Sequence, residues 1–182
     1  MEKIFGRPLI SQEQIRSRVK ELGRQITTDL RGEKDLLLVG ILKGAFAFYA
    51  DLCRAIRLPV TVDFLVVSSY RSRSTTSGKV KIVTDLTEEV KGRTVLIVED
   101  IVDSGLTLDN LIKTFSKKKP KQIVTCALLS KPSRRQVKVT VDYVGFEIPD
   151  TFVVGYGLDY QQKYRNLPYI ASLEGEVDSD NQ

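Results

Sequence analysis

Glu99 and Asp100 stand side by side in the run V-L-I-V-E-D-I-V-D-S-G-L-T from Val95 to Thr107, followed by Asp103 and then the turn Ser104-Gly105-Leu106-Thr107. The apolar spacing Leu108, Leu111, Ile112 and Phe115 reads as a helix opening directly after that turn. Backbone N–H groups, two hydroxyls and a helix N-terminus thus converge on one point, an anion cradle suited to a phosphate monoester. Carboxylates repel phosphate. Glu99 and Asp100 must therefore face either a divalent cation with oxygen ligands or the paired hydroxyls of a sugar, and a phosphorylated ribose satisfies both halves of the segment.

A scaffold must hold this segment in place. Val95 to Val98 are consecutive apolar residues, mostly β-branched, as expected of a strand covered on both faces in a parallel sheet. The acidic loop then falls at the sheet's carboxyl edge, where open α/β folds bind ligands. Around it the chain alternates. Ile15, Val19, Leu22 and Ile26 mark an amphipathic helix within Ile10 to Leu30, with Ser11 as its cap. Strands are expected at Leu36 to Leu42, Val60 to Ser68 and Ile123 to Leu129, and a helix at Ala45 to Ile56. Val80 to Val83 reads as an antiparallel return strand after the Arg-, Ser-, Thr- and Gly-built loop Arg71 to Gly78. Beyond Pro132 short strands are expected at Val137 to Tyr143, Phe152 to Gly155 and Pro168 to Leu173, with a polar, frayed tail from Glu174 to Gln182. The whole argues for one α/β domain, a mostly parallel sheet flanked by helices.

Composition removes several chemistries. With no histidine in 182 residues, Ser-His-Asp and Cys-His catalysis and His-bound zinc are excluded, so proton transfer near neutral pH falls to a carboxylate, Lys, Tyr or solvent. Cys53 and Cys126 are too few for a disulfide framework or thiolate zinc and are expected in the core. No Walker A pattern is present, and Gly155-Tyr156-Gly157 lacks the third glycine of a dinucleotide fingerprint. Met1 to Ile10 lacks the apolar stretch of a signal peptide and no run suffices to span a bilayer, so a soluble, cytoplasmic protein without membrane contact is expected. The net charge of +5 favours anionic partners. Lys117-Lys118-Lys119-Pro120-Lys121, at a helix end, reads as dipole compensation rather than a nucleic-acid patch.

Acidic clusters after an apolar strand also occur in response-regulator receivers and aspartyl-phosphate phosphatases. Receivers carry theirs near the chain start, and the phosphatases need an Asp-x-Asp that is absent here. Val95 to Thr107 instead resembles the 5-phosphoribosyl-1-pyrophosphate (PRPP) signature of type I phosphoribosyltransferases. The likeness to the hypoxanthine-guanine branch of that family runs from about Leu36 to Leu173 and includes Leu42-Lys43-Gly44, Ser68-Ser69-Tyr70 and F-E-I-P-D-T-F-V-V-G-Y-G-L-D-Y from Phe146 to Tyr160.

The resemblance implies a core domain plus a small hood, from about residues 1–10 and 131–173, and a flap hairpin at residues 68–80. It implies transfer of phosphoribose from PRPP to a 6-oxopurine, hypoxanthine or guanine, giving IMP or GMP and pyrophosphate with Mg²⁺ in purine salvage. Under it, Glu99 and Asp100 hold the ribose hydroxyls and a metal, Asp103 is the general base, and Ser104, Gly105, Leu106 and Thr107 hold the 5′-phosphate. Lys43, Gly44 and Arg165 match pyrophosphate contacts, with Leu42-Lys43 a cis peptide. Lys131 matches the donor to purine O6, Phe152 the stacking aromatic, Val153 a backbone contact to the base, and Asp159 a metal ligand beside it. Ser69 and Tyr70 match the base of the flap. Arg71 and Arg73 depart from the family pattern there. A homo-oligomer, dimer or tetramer, is implied. Two other readings share this fold: a xanthine-preferring relative, and a PRPP-sensing regulator that binds nucleic acid.

Overall fold

The computed structural model describes residues 8–69 and 80–172. Expectations for residues 1–7 of the hood, Tyr70, the loop from Arg71 to Gly78, Leu173 and the tail from Glu174 lie outside the described residues.

α1 (Gln12–Asp29) begins with a capping box: Ser11 Oγ accepts from Gln14 N while Gln14 Oε1 accepts from Ser11 N. Its buried stripe is Ile15, Val19, Leu22, Gly23 and Ile26. β1 (Leu36–Leu42), α2 (Phe46–Ala55), β2 (Val60–Ser69), β3 (Val80–Thr84), β4 (Thr94–Val102), α3 (Leu106–Lys117), β5 (Gln122–Ser130) and β6 (Tyr143–Glu147) follow, and β7 (Val153–Val154) pairs separately with β8 (Ala171–Ser172). The main sheet runs β3-β2-β1-β4-β5-β6, and only β3 is antiparallel. Among the described residues, no helix is long and apolar enough to cross a membrane.

Strand pleating sends alternate residues to two cores. Leu36, Leu38, Leu96 and Val98 join α1 and α2, whereas Leu37, Val39, Val95 and Ile97 join Leu108, Leu111 and Phe115 of α3. This explains why Leu36 to Val39 of β1 and Val95 to Val98 of β4 are uninterrupted apolar runs. The chain leaves β1 toward β2 on one side and returns through β4 on the other, so the order reverses between β1 and β4, a switch point at which open sheets form a crevice.

Several expectations need correction. β4 extends to Val102, so Glu99 and Asp100 are strand residues rather than loop residues. Val137 to Tyr143 is not a strand: a 3-10 turn spans Pro132–Arg134, and β6 begins only at Tyr143. The alternating Val139 and Val141 pack on the α3-side core without joining a ladder, and Asp142 instead accepts hydrogen bonds from the Thr125 amide and hydroxyl. The strands expected at Phe152 to Gly155 and Pro168 to Leu173 contract to the short β7 and β8. Cys126 is buried but Cys53 only partly so. In the lysine run, Lys118 pairs with Asp85 and Lys121 with Glu33.

Candidate active site

β4 outruns β1. Their pairing stops at Gly40 opposite Val98, while β4 continues along β5 to Val102 opposite Ser130. The freed end carries Glu99 and Asp100, which the pleat sends to opposite faces. Glu99 lines a cavity of about 90 Å³ together with Asp103, Ser104, Gly105 and Thr107. Asp100 faces the turn after β1, its carboxylate lying where a Cβ on Gly44 would stand.

The two acids differ in environment. Glu99 is 5% exposed, and its Oε1 has no hydrogen-bond partner among the described residues. Burial, reinforced by the Asp100 charge and opposed by Arg135, raises its pKa to about 8. Asp100, partly open to solvent, is raised to about 6, again chiefly by burial, with the Ile101 amide opposing. A buried carboxylate oxygen left without a donor is costly unless something supplies one. A sugar hydroxyl or a hard cation fits that vacancy of bonding. Among the described residues, no group of three His, Cys, Asp or Glu could hold a metal unaided. One or two carboxylates completed by substrate oxygens are the coordination Mg²⁺ favours.

The cradle is built by α3. Its N-cap, Gly105, has φ +83°, and a side chain there would press on Val139 at 2.8 Å. Neither N-cap residue, Gly105 of α3 or Ala45 of α2, makes a side-chain cap bond, and at α3 Ser104 Oγ accepts only from the Leu106 amide, at 3.4 Å. Both N-termini stand beside the carboxyl ends of β1 and β4, leaving amides for an anion, whereas α1 carries a capping box.

On the opposite side of the loop lies an ion cluster. Lys131, 6% exposed, sets Nζ 3.7 Å from Asp103 Oδ2 and 3.7 Å from Asp150 Oδ1. Arg134 reaches the same two acids at 3.2 and 3.4 Å. The Asp103 carboxylate pairs with these cations, and the α3 N-cap is Gly105. Arg135 grips the carbonyls of Val102 and Asp103 and donates to Ser130 Oγ at 2.9 Å, fixing the loop from behind. Phe152 meets Tyr160 edge-on at 5.8 Å, and Val153 is buried in β7.

The turn after β1 closes the other end. The Leu42–Lys43 peptide is cis. A Cβ on Gly157 would overlap the Gly44 carbonyl oxygen, so these two backbones touch. Arg165 donates to Gly157 O at 2.7 Å and pairs with Asp159 at 2.6 Å. Gln162 Oε1 accepts from both Lys43 and Arg165 at 3.3 Å. Asp159 and Arg165 both act on the Asp100 charge, one raising and one lowering its pKa.

The structure thus groups Glu99, Asp103, Ser104, Gly105 and Thr107 about one cavity, Lys131 with Asp103, and Lys43, Gly44, Asp100, Asp159 and Arg165 at the β1 turn. Ser69 ends β2, its backbone paired opposite Val80. Arg134, Arg135, Asp150 and Gln162 were missed. The adjacent arginines after Pro132 were a visible charge signal, but their partners are distant in sequence.

The model of the Phosphoribosyl transferase domain matches residues 11–161. The chain is 51% identical over 166 residues to the hypoxanthine phosphoribosyltransferase of Escherichia coli (strain K12), covering 91% of this chain and 93% of that one. It superposes on the crystal structure of a hypoxanthine-guanine phosphoribosyltransferase from Bacillus anthracis with a TM-score of 0.90 at 50% identity, covering 94% of this chain and all of the other. The Trypanosoma cruzi hypoxanthine phosphoribosyltransferase, solved with its product IMP, gives a TM-score of 0.89 at 42% identity over 97% of this chain and 99% of that one.

Proposed function

The chain belongs to the phosphoribosyltransferase family, and on that footing we propose that it transfers the 5-phosphoribosyl group of PRPP to N9 of hypoxanthine or guanine, giving IMP or GMP and pyrophosphate. One observation carries the base specificity: a buried ammonium, Lys131 Nζ, is held 3.7 Å from Asp103 at the rim of the phosphate-sized cavity. An ammonium only donates, so it suits a 6-oxo group and mismatches a 6-amino group.

In this reading Ser104 to Thr107 and the α3 N-terminus take the 5′-phosphate, and Glu99 with Asp100 takes the ribose diol. Phe152 stacks on the purine and the Val153 backbone meets its edge. N9 donates its electron pair to C1′ as the C1′–O bond to pyrophosphate breaks and that electron pair departs with the leaving group. Asp103 accepts the N7 proton, the role open to a carboxylate in a chain without histidine. Lys43, Gly44 and Arg165 meet the developing charge on pyrophosphate. Mg²⁺, held by Glu99, Asp100 and Asp159 with substrate oxygens, would neutralise pyrophosphate when bound.

The bridge between Ile10 and Ile170 and the separate β7–β8 sheet support a hood formed from about residues 1–10 and 131–173. The Ser69–Val80 pair supports a flap stem there. A homo-oligomer and a cytoplasmic location complete the proposal. Nucleotide formation from PRPP and Mg²⁺ with hypoxanthine, guanine, xanthine and adenine tests it. Turnover of the first two is expected, and failure with every 6-oxopurine would overturn it.

A further inference from the structure

A groove of about 720 Å³ runs between α1 and α2, apart from the acidic strand end and its phosphate-sized cavity. Its rim carries Arg16, Lys20 and Arg24 of α1 with Arg54 and Arg57 at the end of α2. Residues four apart on a helix share one face, with about 6 Å of rise between them, so the α1 cations form a row. Asp51, the one lining carboxylate among the described residues, is already engaged by the Arg54 guanidinium and by the Tyr156 hydroxyl at 2.6 Å. Among the described residues, the side chains of Arg16, Lys20, Arg24 and Arg57 have no ion-pair or hydrogen-bond partner. Between the rows lies an apolar floor of Ile15, Val19, Ala55 and Pro168, with Tyr156 at one side.

Like charges gathered at a concave surface repel each other, and an anion seated among them relieves that repulsion. Scattered solvated lysines would need neither the concavity nor the floor. The size lies within the usual range for small-molecule sites, and an apolar floor inside a cationic rim suits a ligand with a flat organic body and a phosphate chain. We propose that this groove binds an oligophosphate, carried by a nucleoside or free as an inorganic chain, at a site separate from the one formed by Glu99 to Thr107.

The test is calorimetric titration of the intact protein with ATP, without divalent cation and at low ionic strength, in saturating IMP so that the strand-end site is filled. One equivalent of ATP should bind alongside IMP. The variant Arg16→Gln/Lys20→Gln/Arg24→Gln should bind it at least about tenfold more weakly, the scale of losing a charge-assisted contact, with turnover of hypoxanthine unchanged. Inorganic tripolyphosphate separates the two sources. Tenfold preference for ATP assigns a nucleoside triphosphate, and equal binding assigns the bare chain. Should IMP itself fail to bind, the purine reading falls, but ATP held in the strand-end site would ignore the three substitutions and the groove would still be tested. The proposal is overturned if neither ligand binds beside IMP, or if the variant retains full affinity. It is overturned too if the substitutions dissociate an oligomer, since the groove is then a subunit interface. Binding that appears only after deletion of residues 173–182 would equally sink it, making the acidic run Glu174 to Asp180 the occupant.

Discussion

The carboxylate of Asp100 fills the space in which a side chain on Gly44 would begin. The end of β4 and the turn after β1 are therefore in contact.

Gly44→Ala tests that contact. The added methyl must displace Asp100 or push the turn away, and Gly157 behind it blocks retreat. Overpacking of this kind costs about 1–3 kcal/mol, read as a lower Tm. Pyrophosphate binding should weaken together with it. An alanine variant of wild-type stability and affinity would show that the two segments part freely.

Asp103→Asn keeps the shape beside Lys131 and Arg134 but removes the proton acceptor. Turnover should fall roughly 10²–10⁴-fold with little change in PRPP affinity. Single-turnover kinetics should be used, because slow product release hides losses in the chemical step. Unchanged turnover would assign the proton to solvent.

Lys131→Gln replaces a buried donor with an amide that donates or accepts. Activity with hypoxanthine should decline and discrimination against adenine relax. The ratio of kcat/KM for the two bases measures this. A ratio fixed at the wild-type value would place recognition of O6 elsewhere.

Glu99 makes stability depend on pH. Its folded pKa of about 8 lies above the ordinary carboxylate value, so the folded protein keeps a proton that the unfolded chain has released between those limits. Stability from this group is complete in acid and is lost as pH rises toward 8. Glu99→Gln should remove that slope and make the ligand-free protein more stable at pH 8 by about 1–3 kcal/mol, while impairing catalysis. Thermal denaturation at pH 5 and pH 8 decides it: equal slopes in both proteins would mean that Glu99 is ionised and solvated.

What could be read in the chain was what is local. Val95 to Thr107 holds strand, acids, turn and helix start in one stretch, so the order of these elements followed from the residues, although the acids proved to end the strand rather than to lie in the loop. α1 was equally plain, since its stripe and capping box lie within a single helix. Val137 to Tyr143 misled because alternation marks burial on one side without stating whether a ladder partner is present; here Val139 and Val141 pack while β5 finds its partner only from Tyr143 onward. The grip of Arg135 on Val102 and Asp103, and the Gly44–Gly157 contact, join segments far apart in sequence. No periodicity encodes such meetings.

The pleat that separates Glu99 from Asp100 limits how this enzyme can be altered by insertion or grafting. Asp100 lies between two ladder positions, Glu99 opposite Ala127 and Ile101 opposite Leu129, so sheet register aims both acids. One residue added between Thr94 and Val98 would turn Glu99 toward Gly44 and Asp100 toward the cavity lined by Ser104 and Thr107, exchanging their surroundings while preserving every residue type. Length changes in the surface connections have no such effect. The portable unit of this chemistry is consequently the register-locked pair β4–β5 with the head of α3, and a transplant of the Glu-Asp motif alone would carry the letters without their aim.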